Sequence, residues 1–209
     1  MNYEPFLWFG VFLCVLVGSV YFKGRKMSAP EKMIRPAVLE PQQQAQIAGY
    51  GEWLNSVQLE HRTTFQFGSI LVVVFQQKDQ PRYFSFMFHK RLTWCAESYL
   101  KDLTVLDTTN SGSFDLVPRP GAYRQNFPGI SVSDTWRRHL EGEAHLSQKF
   151  GYQWSTINRP SEELLADAMR VRMSYNRSQS FWPLRVLYRN FVTGRRDINQ
   201  SIMHQFPIL

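Results

Sequence analysis

TTFQFGSILVVVFQ, residues 63–76, is the stretch on which the fold turns. β-Branched and aromatic residues dominate it, the composition of a pleated and largely buried strand. Phe65, Phe67, Leu71, Val73 and Phe75 share one parity, and Ile70, Val72 and Val74 share the other. Apolar side chains on both faces predict a central strand covered from both sides. Gln77-Lys78-Asp79-Gln80-Pro81 then supplies a turn, and alternation resumes through Phe84, Phe86 and Phe88, so the two segments read as a hairpin.

Downstream, residues 93–100 fit either period: Leu92, Cys95, Ala96 and Tyr99 suit a helix, while Trp94, Ala96 and Ser98 suit a strand. The strand is preferred, because Lys101-Asp102 then turns into a further strand over 103–109. The expected sheet is an antiparallel meander of about four strands. Three to four helices should pack on it. One is expected over 42–59, weakened by Gly49 and Gly51. A second runs from a cap at Ser133-Asp134 to about Lys149, with Gly151 as its stop. A third starts at Pro160-Ser161-Glu162-Glu163, and a last begins near Trp182-Pro183. Between sheet and helices, residues 117–128 carry three prolines and read as a long surface loop. Helix, strands, then helices make the class α+β.

Upstream, the character changes. FLWFGVFLCVLVGSVYF, residues 6–22, carries no charge and is followed by Lys23, Arg25 and Lys26. A run of this length reaches the short end of what crosses a bilayer, with Tyr3, Trp8, Tyr21 and Phe22 placed for the headgroup level. A cleaved signal peptide would want basic residues before the run rather than after it, and a core helix is seldom apolar all round for so long. The expectation is a transmembrane helix with a basic flank over 1–26, a proline-containing tether over 27–41 and one α+β domain over 42–209. The cations on the C-terminal side orient it as a single-pass signal-anchor, N-terminus outside and domain cytoplasmic. Cys14 lies in the run and Cys95 in the domain, so no disulfide within the domain is available.

The 209 residues carry a net charge of +7, which suits work beside a polyanion such as anionic lipid. After Lys149 every basic side chain other than histidine is arginine. A continuous last helix would gather Arg185, Arg189 and Arg196 beside Trp182, a pattern that suits a lipid surface, a phosphate backbone or simply water. The candidate lipid-contact set is therefore Trp8, Tyr21, Lys23, Arg25, Lys26, Trp182, Arg185, Arg189 and Arg196.

No phosphate loop, dinucleotide fingerprint, C-x-x-C, H-E-x-x-H or G-x-S-x-G is present, so no catalytic residue, cofactor or metal ligand is assigned. Asp107 after an apolar strand reads as the strand's end, with Thr108 and Thr109 in a turn. His139 and Glu143, like Glu141 and His145, stand four apart on a helix, but the pairs are out of phase and read as a solvated face opposite Trp136 and Leu140. The functional expectation is a membrane-anchored, non-catalytic interaction module with a protein partner in the same membrane. Its competitors are a membrane-bound enzyme gathering Asp107 with His89 or His139, and recruitment of nucleic acid.

Overall fold

A computed structural model describes residues 12, 14–22, 29–100, 102–111, 119–154, 159–189 and 198–208. The 63–76 stretch is the sheet's centre, but it is two strands rather than one. Gly68 and Ser69 form a two-residue loop that folds β2 (Leu59–Phe67) back on β3 (Ile70–Gln77), with Phe67 opposite Ile70. Gly68 has φ 61°, and Ser69 is not in the positive-φ region. Positive φ at the first central residue alone is the type II′ pattern, which calls for glycine there. The shared parity inferred from sequence therefore splits. Phe65 and Phe67 lie with Ile70, Val72 and Val74, and Val73 and Phe75 face the other way.

β4 (Arg82–Phe88), β5 (Leu92–Tyr99) and β6 (Val105–Thr109) continue the antiparallel meander. β1 (Ile34–Pro36) pairs with β2 at one edge, and β7 (Ala122–Asn126) lies parallel to β6 at the other. The result is one seven-stranded sheet in sequence order, not a meander of about four. The missing strands were short and proline-flanked. Ile34–Pro36 sits in the expected tether, where an edge position tolerates Pro36 because one side of the backbone needs no partner. Ala122–Asn126 sits inside the expected surface loop.

The helices are α1 (Pro41–Ala48), α2 (Gly51–Ser56), α3 (Val132–Phe150), α4 (Ser161–Ser178), α5 (Trp182–Tyr188) and α6 (Ile202–Gln205). The single helix expected over 42–59 breaks between α1 and α2, and Leu59 already belongs to β2. α3 starts at Ser131, whose hydroxyl accepts the Asp134 N–H at 3.1 Å, and stops at Gly151 with φ 69°.

The sheet is covered on both faces, unequally. On one, Ile47, Leu54, Val132 and Trp136 from α1–α3 close over Val73, Phe75, Phe84 and Phe86. α3 approaches β6 and β7 so closely that a Cβ on Gly142 would stand 2.7 Å from Gln125 Nε2 and 3.2 Å from Leu106 Cδ2. On the other face, Leu164, Leu165 and Ala168 of α4 pack with Tyr83, Tyr99, Val72 and Val74. A cavity remains there between sheet and helix.

The transmembrane expectation is corrected. Among the described residues no helix is long and apolar enough to cross a membrane. Of the run at 6–22, the helical residues described are 12 and 14–22. Their C-terminal end is docked on protein: Val20 packs with Met173 and Val186, and the Tyr21 ring lies 6.4 Å from that of Trp182. Protein covers part of the end of this uncharged run, while Phe12, Val15 and Phe22 stay exposed. The transmembrane helix in the fold class, the single-pass signal-anchor and the membrane address with the N-terminus outside thus find no support in the described structure.

Candidate functional site

The cavity encloses about 450 Å³, within the range of small-molecule sites. Strand alternation builds it. From β2 and β3 come Phe65, Phe67, Ile70, Val72 and Val74; from β4, Tyr83, Ser85 and Met87; from β5, Thr93, Cys95, Glu97 and Tyr99. Leu164 and Leu165 of α4 form the roof. His89, Lys90 and Arg91, all exposed, stand at the mouth.

Register concentrates the interior charged groups at one level. Tyr83 is opposite Glu97, Glu97 opposite Asp107, and Asp107 opposite Arg124, so one transverse row crosses β4, β5, β6 and β7. Two acids directly opposed in a sheet interior repel each other, which a purely structural strand pair avoids. Arg124 answers half of that cost. Its Nε donates to Asp107 Oδ2 at 2.7 Å and its Nη2 bonds the same oxygen. The Cys95 thiol donates to Asp107 Oδ1 at 2.8 Å. Glu97 is served differently, by a hydrogen bond from the Tyr99 hydroxyl.

These environments separate the two acids. Burial, then the charge of Asp107, pushes Glu97 up to about 7, against the pull of Arg124. Glu97 keeps partial exposure, to the cavities it lines, so it is enclosed by protein yet reachable by a ligand. Burial and the neighbouring carboxylates hold the Cys95 thiol and the Tyr99 phenol well above their ordinary values. Both stay protonated at neutral pH and act as donors. Donor atoms of Cys95, Glu97 and Asp107 all lie within 4.8 Å of one another, a spacing that could hold a cation. Arg124 already supplies a positive charge at Asp107, and a metal there would have to compete with it.

Behind this row, on the sheet's other face, a second polar set forms a directed hydrogen-bond chain. Gln125 Nε2 donates to Thr108 Oγ1 at 2.9 Å, Thr108 faces His139 Nδ1 at 3.1 Å, and His139 Nε2 faces Ser98 Oγ at 2.8 Å. Ser98 donates to Glu143, which Arg82 pairs at 2.6 Å. Ser, His and Glu here resemble a nucleophile relay in composition only. His139 is fully buried, and burial followed by the Arg82 charge lowers it to about 3. Neither of the cavities described reaches Ser98. The chain ties α3 to the sheet. The solvated face expected for His139 and Glu143 is thus a buried one, because the α3 side facing β5 and β6 is polar where the strands offer Ser98 and Thr108.

Sequence reading placed Asp107 at a strand end; it lies mid-strand and faces the cavity. His89 lines the same cavity at its mouth, and His139 is on the far side of the sheet, so the three are not gathered. Cys95, Glu97, Tyr99 and Arg124 were missed as site residues. The alternation Thr93, Cys95, Glu97, Tyr99 was visible, but only register sets Glu97 against Asp107, and Arg124 arrives from a strand read as loop. Of the lipid-contact candidates, Tyr21 and Trp182 come together at the α4–α5 pair, Arg185 is exposed and Arg189 partly buried. Trp8, Lys23, Arg25, Lys26 and Arg196 lie outside the described residues.

Comparison with known proteins finds no matching family model, no matching curated protein and no matching solved structure.

Proposed function

We propose that the chain is a non-catalytic binding domain whose ligand is a small, largely apolar molecule lodged between the sheet and α4. The cavity carries this reading: apolar walls from β2, β3 and α4, with the interior charged groups Glu97, Asp107 and Arg124 held in one row beside Tyr83. An apolar wall supplies affinity by area removed from water, and a few fixed polar groups orient the guest. The test is titration with Nile red, an uncharged probe that brightens in apolar surroundings. Saturable binding is expected, weakened at least tenfold by Ser85→Phe, which fills the cavity from the centre of β4. Probe binding that survives this substitution unchanged would place the probe elsewhere and remove the reading.

A second reading, docking on a partner protein, draws on exposed apolar side chains of the helical residues 12 and 14–22 and of α5. Phe12, Val15 and Phe22 are exposed on the first, and Leu184 and Tyr188 on the second, with Phe181 at the α5 N-terminus 78% exposed. Concentration-dependent association in sedimentation, abolished by Phe181→Ser with Leu184→Ser, is its expected signature.

A further inference from the structure

Resting on the cavity-binding reading, we propose that the ligand is an amine: a protonated ammonium group on an apolar body, seated against Glu97 and the rings of Tyr83 and Tyr99.

Charge balance within the row points there. Two carboxyl groups face one guanidinium, and both nitrogens that Arg124 is seen to use go to the same oxygen of Asp107. Glu97 has the Tyr99 hydroxyl but, among the described residues, no ion pair. Of the two charges that act on its proton, that of Asp107 outweighs that of Arg124. Ionising a buried carboxyl of this kind costs free energy, and a cation joining it offsets that cost. The cavity's own walls add a second attraction for a cation: Tyr83 and Tyr99 meet edge to face, 6.0 Å between centroids, beside the carboxyl. Carboxylate plus aromatic faces is the combination that recognises ammonium groups.

Other charged groups stand around the seat, on the wall of a neighbouring recess, at the cavity mouth and beside Tyr83, where the exposed Arg62 acts on the phenol. Across the smaller recess of about 130 Å³ that Glu97 also lines lie Arg119 and Arg172. Arg119 bonds the carbonyl oxygens of Leu103 and Pro120, which leaves its charge in place, but neither it nor Arg172 is among the charges that act on the Glu97 proton, which are those of Asp107 and Arg124. Lys90 and Arg91 at the mouth are exposed to solvent, and six residues of strand at ~3.3 Å put Arg91 about 20 Å from Glu97, beyond the ~10 Å screening length at 0.1 M salt. They are gatekeepers of entry rather than partners of the seated group. Cys95 stays a neutral thiol.

The experiment is displacement of Nile red by decylamine, decanol and decanoate, each below its micelle-forming concentration, at pH 8 and pH 5.5. At pH 8, where Glu97 is ionised, decylamine is expected to displace the probe at concentrations at least tenfold below decanol and decanoate. At pH 5.5 Glu97 takes a proton and that preference shrinks severalfold. Glu97→Gln should lose the preference at both pH values, with continued Nile red binding showing that the cavity is formed. Asp107→Asn, which releases Arg124 from its carboxylate, should shift selectivity toward decanoate. Equal or stronger displacement by decanol or decanoate in the wild type, or an amine preference that persists in Glu97→Gln, overturns the proposal and leaves an apolar cavity of another specificity. Failure of Nile red itself to bind removes the cavity reading instead, and the amine with it.

Discussion

Glu97 and His139 press on opposite faces of the same sheet, and folding moves their proton affinities in opposite directions. Glu97 rises from 4.5 to about 7 in the folded chain. Between those values the unfolded chain is ionised while the folded one holds the proton, so the contribution to stability is present below about 4.5 and is lost as pH rises through 7. His139 falls from 6.5 to about 3. Here the unfolded state binds the extra proton, so stability is full above 6.5 and declines as pH drops toward 3. Between about pH 4.5 and 6.5 the two slopes oppose and cancel in the wild type, so urea denaturation across pH 4–9 separates them only in variants that remove one group at a time. Glu97→Gln is expected to leave the His139 slope alone, stability rising with pH up to about 6.5, and to raise stability at pH 8 by roughly 1–2 kcal/mol, less than full linkage because the cavity admits solvent. His139→Gln is expected to leave the Glu97 slope alone, stability falling between about pH 4.5 and 7, while lowering stability at neutral pH by about 1–3 kcal/mol, because Ser98 and Thr108 lose a buried partner.

α3 is the element that converts the sheet into a two-faced platform, and its ends and its closest approach can each be tested. Ser131→Ala removes the hydroxyl that accepts the Asp134 N–H, and should cost about 1 kcal/mol in chemical denaturation. Gly142→Ala forces a methyl into Gln125 and Leu106, and should cost about 1–3 kcal/mol. It also displaces Gln125, which donates to Thr108 and accepts the Ile202 N–H at 2.8 Å, so α6 should loosen with it. Faster amide hydrogen exchange at Ile202 in the variant would show that coupling. The boundaries of α3 were legible in the sequence to within a residue or two, because Gly151 and a nearby capping serine are local signals. The placement of His139 was not. A histidine four residues before a glutamate on a helix looks the same in water as it does against a strand that offers Ser98.

Across the whole molecule, one face of the sheet is a closed core and the other holds a cavity of about 450 Å³. Phe84 is fully buried in the closed face between Trp53, Phe86 and Trp136, and Phe84→Ala should cost about 3–5 kcal/mol by opening a new void. Phe65 borders the existing cavity, so Phe65→Ala enlarges a space already there and should cost measurably less. Equal costs in urea denaturation would mean that the two faces are packed alike. The asymmetry follows from α4, which meets the sheet at Leu164 and Leu165 and leaves the strands nearer the β2–β3 turn uncovered.

By itself the sequence determined the α+β class, the strand character of 82–88 and 92–99, and the starts of α3, α4 and α5. Each of these is written in the spacing and identity of near neighbours. Alternation, capping residues and proline positions act over a few residues, and so can be read from the chain. The hairpin inside 63–76, the edge strands β1 and β7 and the opposition of Glu97 to Asp107 were decided only by tertiary structure, because register and strand order are set by contacts between distant residues. The same holds for the apolar run at the N-terminus. Hydropathy records that a surface avoids water, and only the packing of Val20 on Met173 and Val186 shows that protein covers part of it.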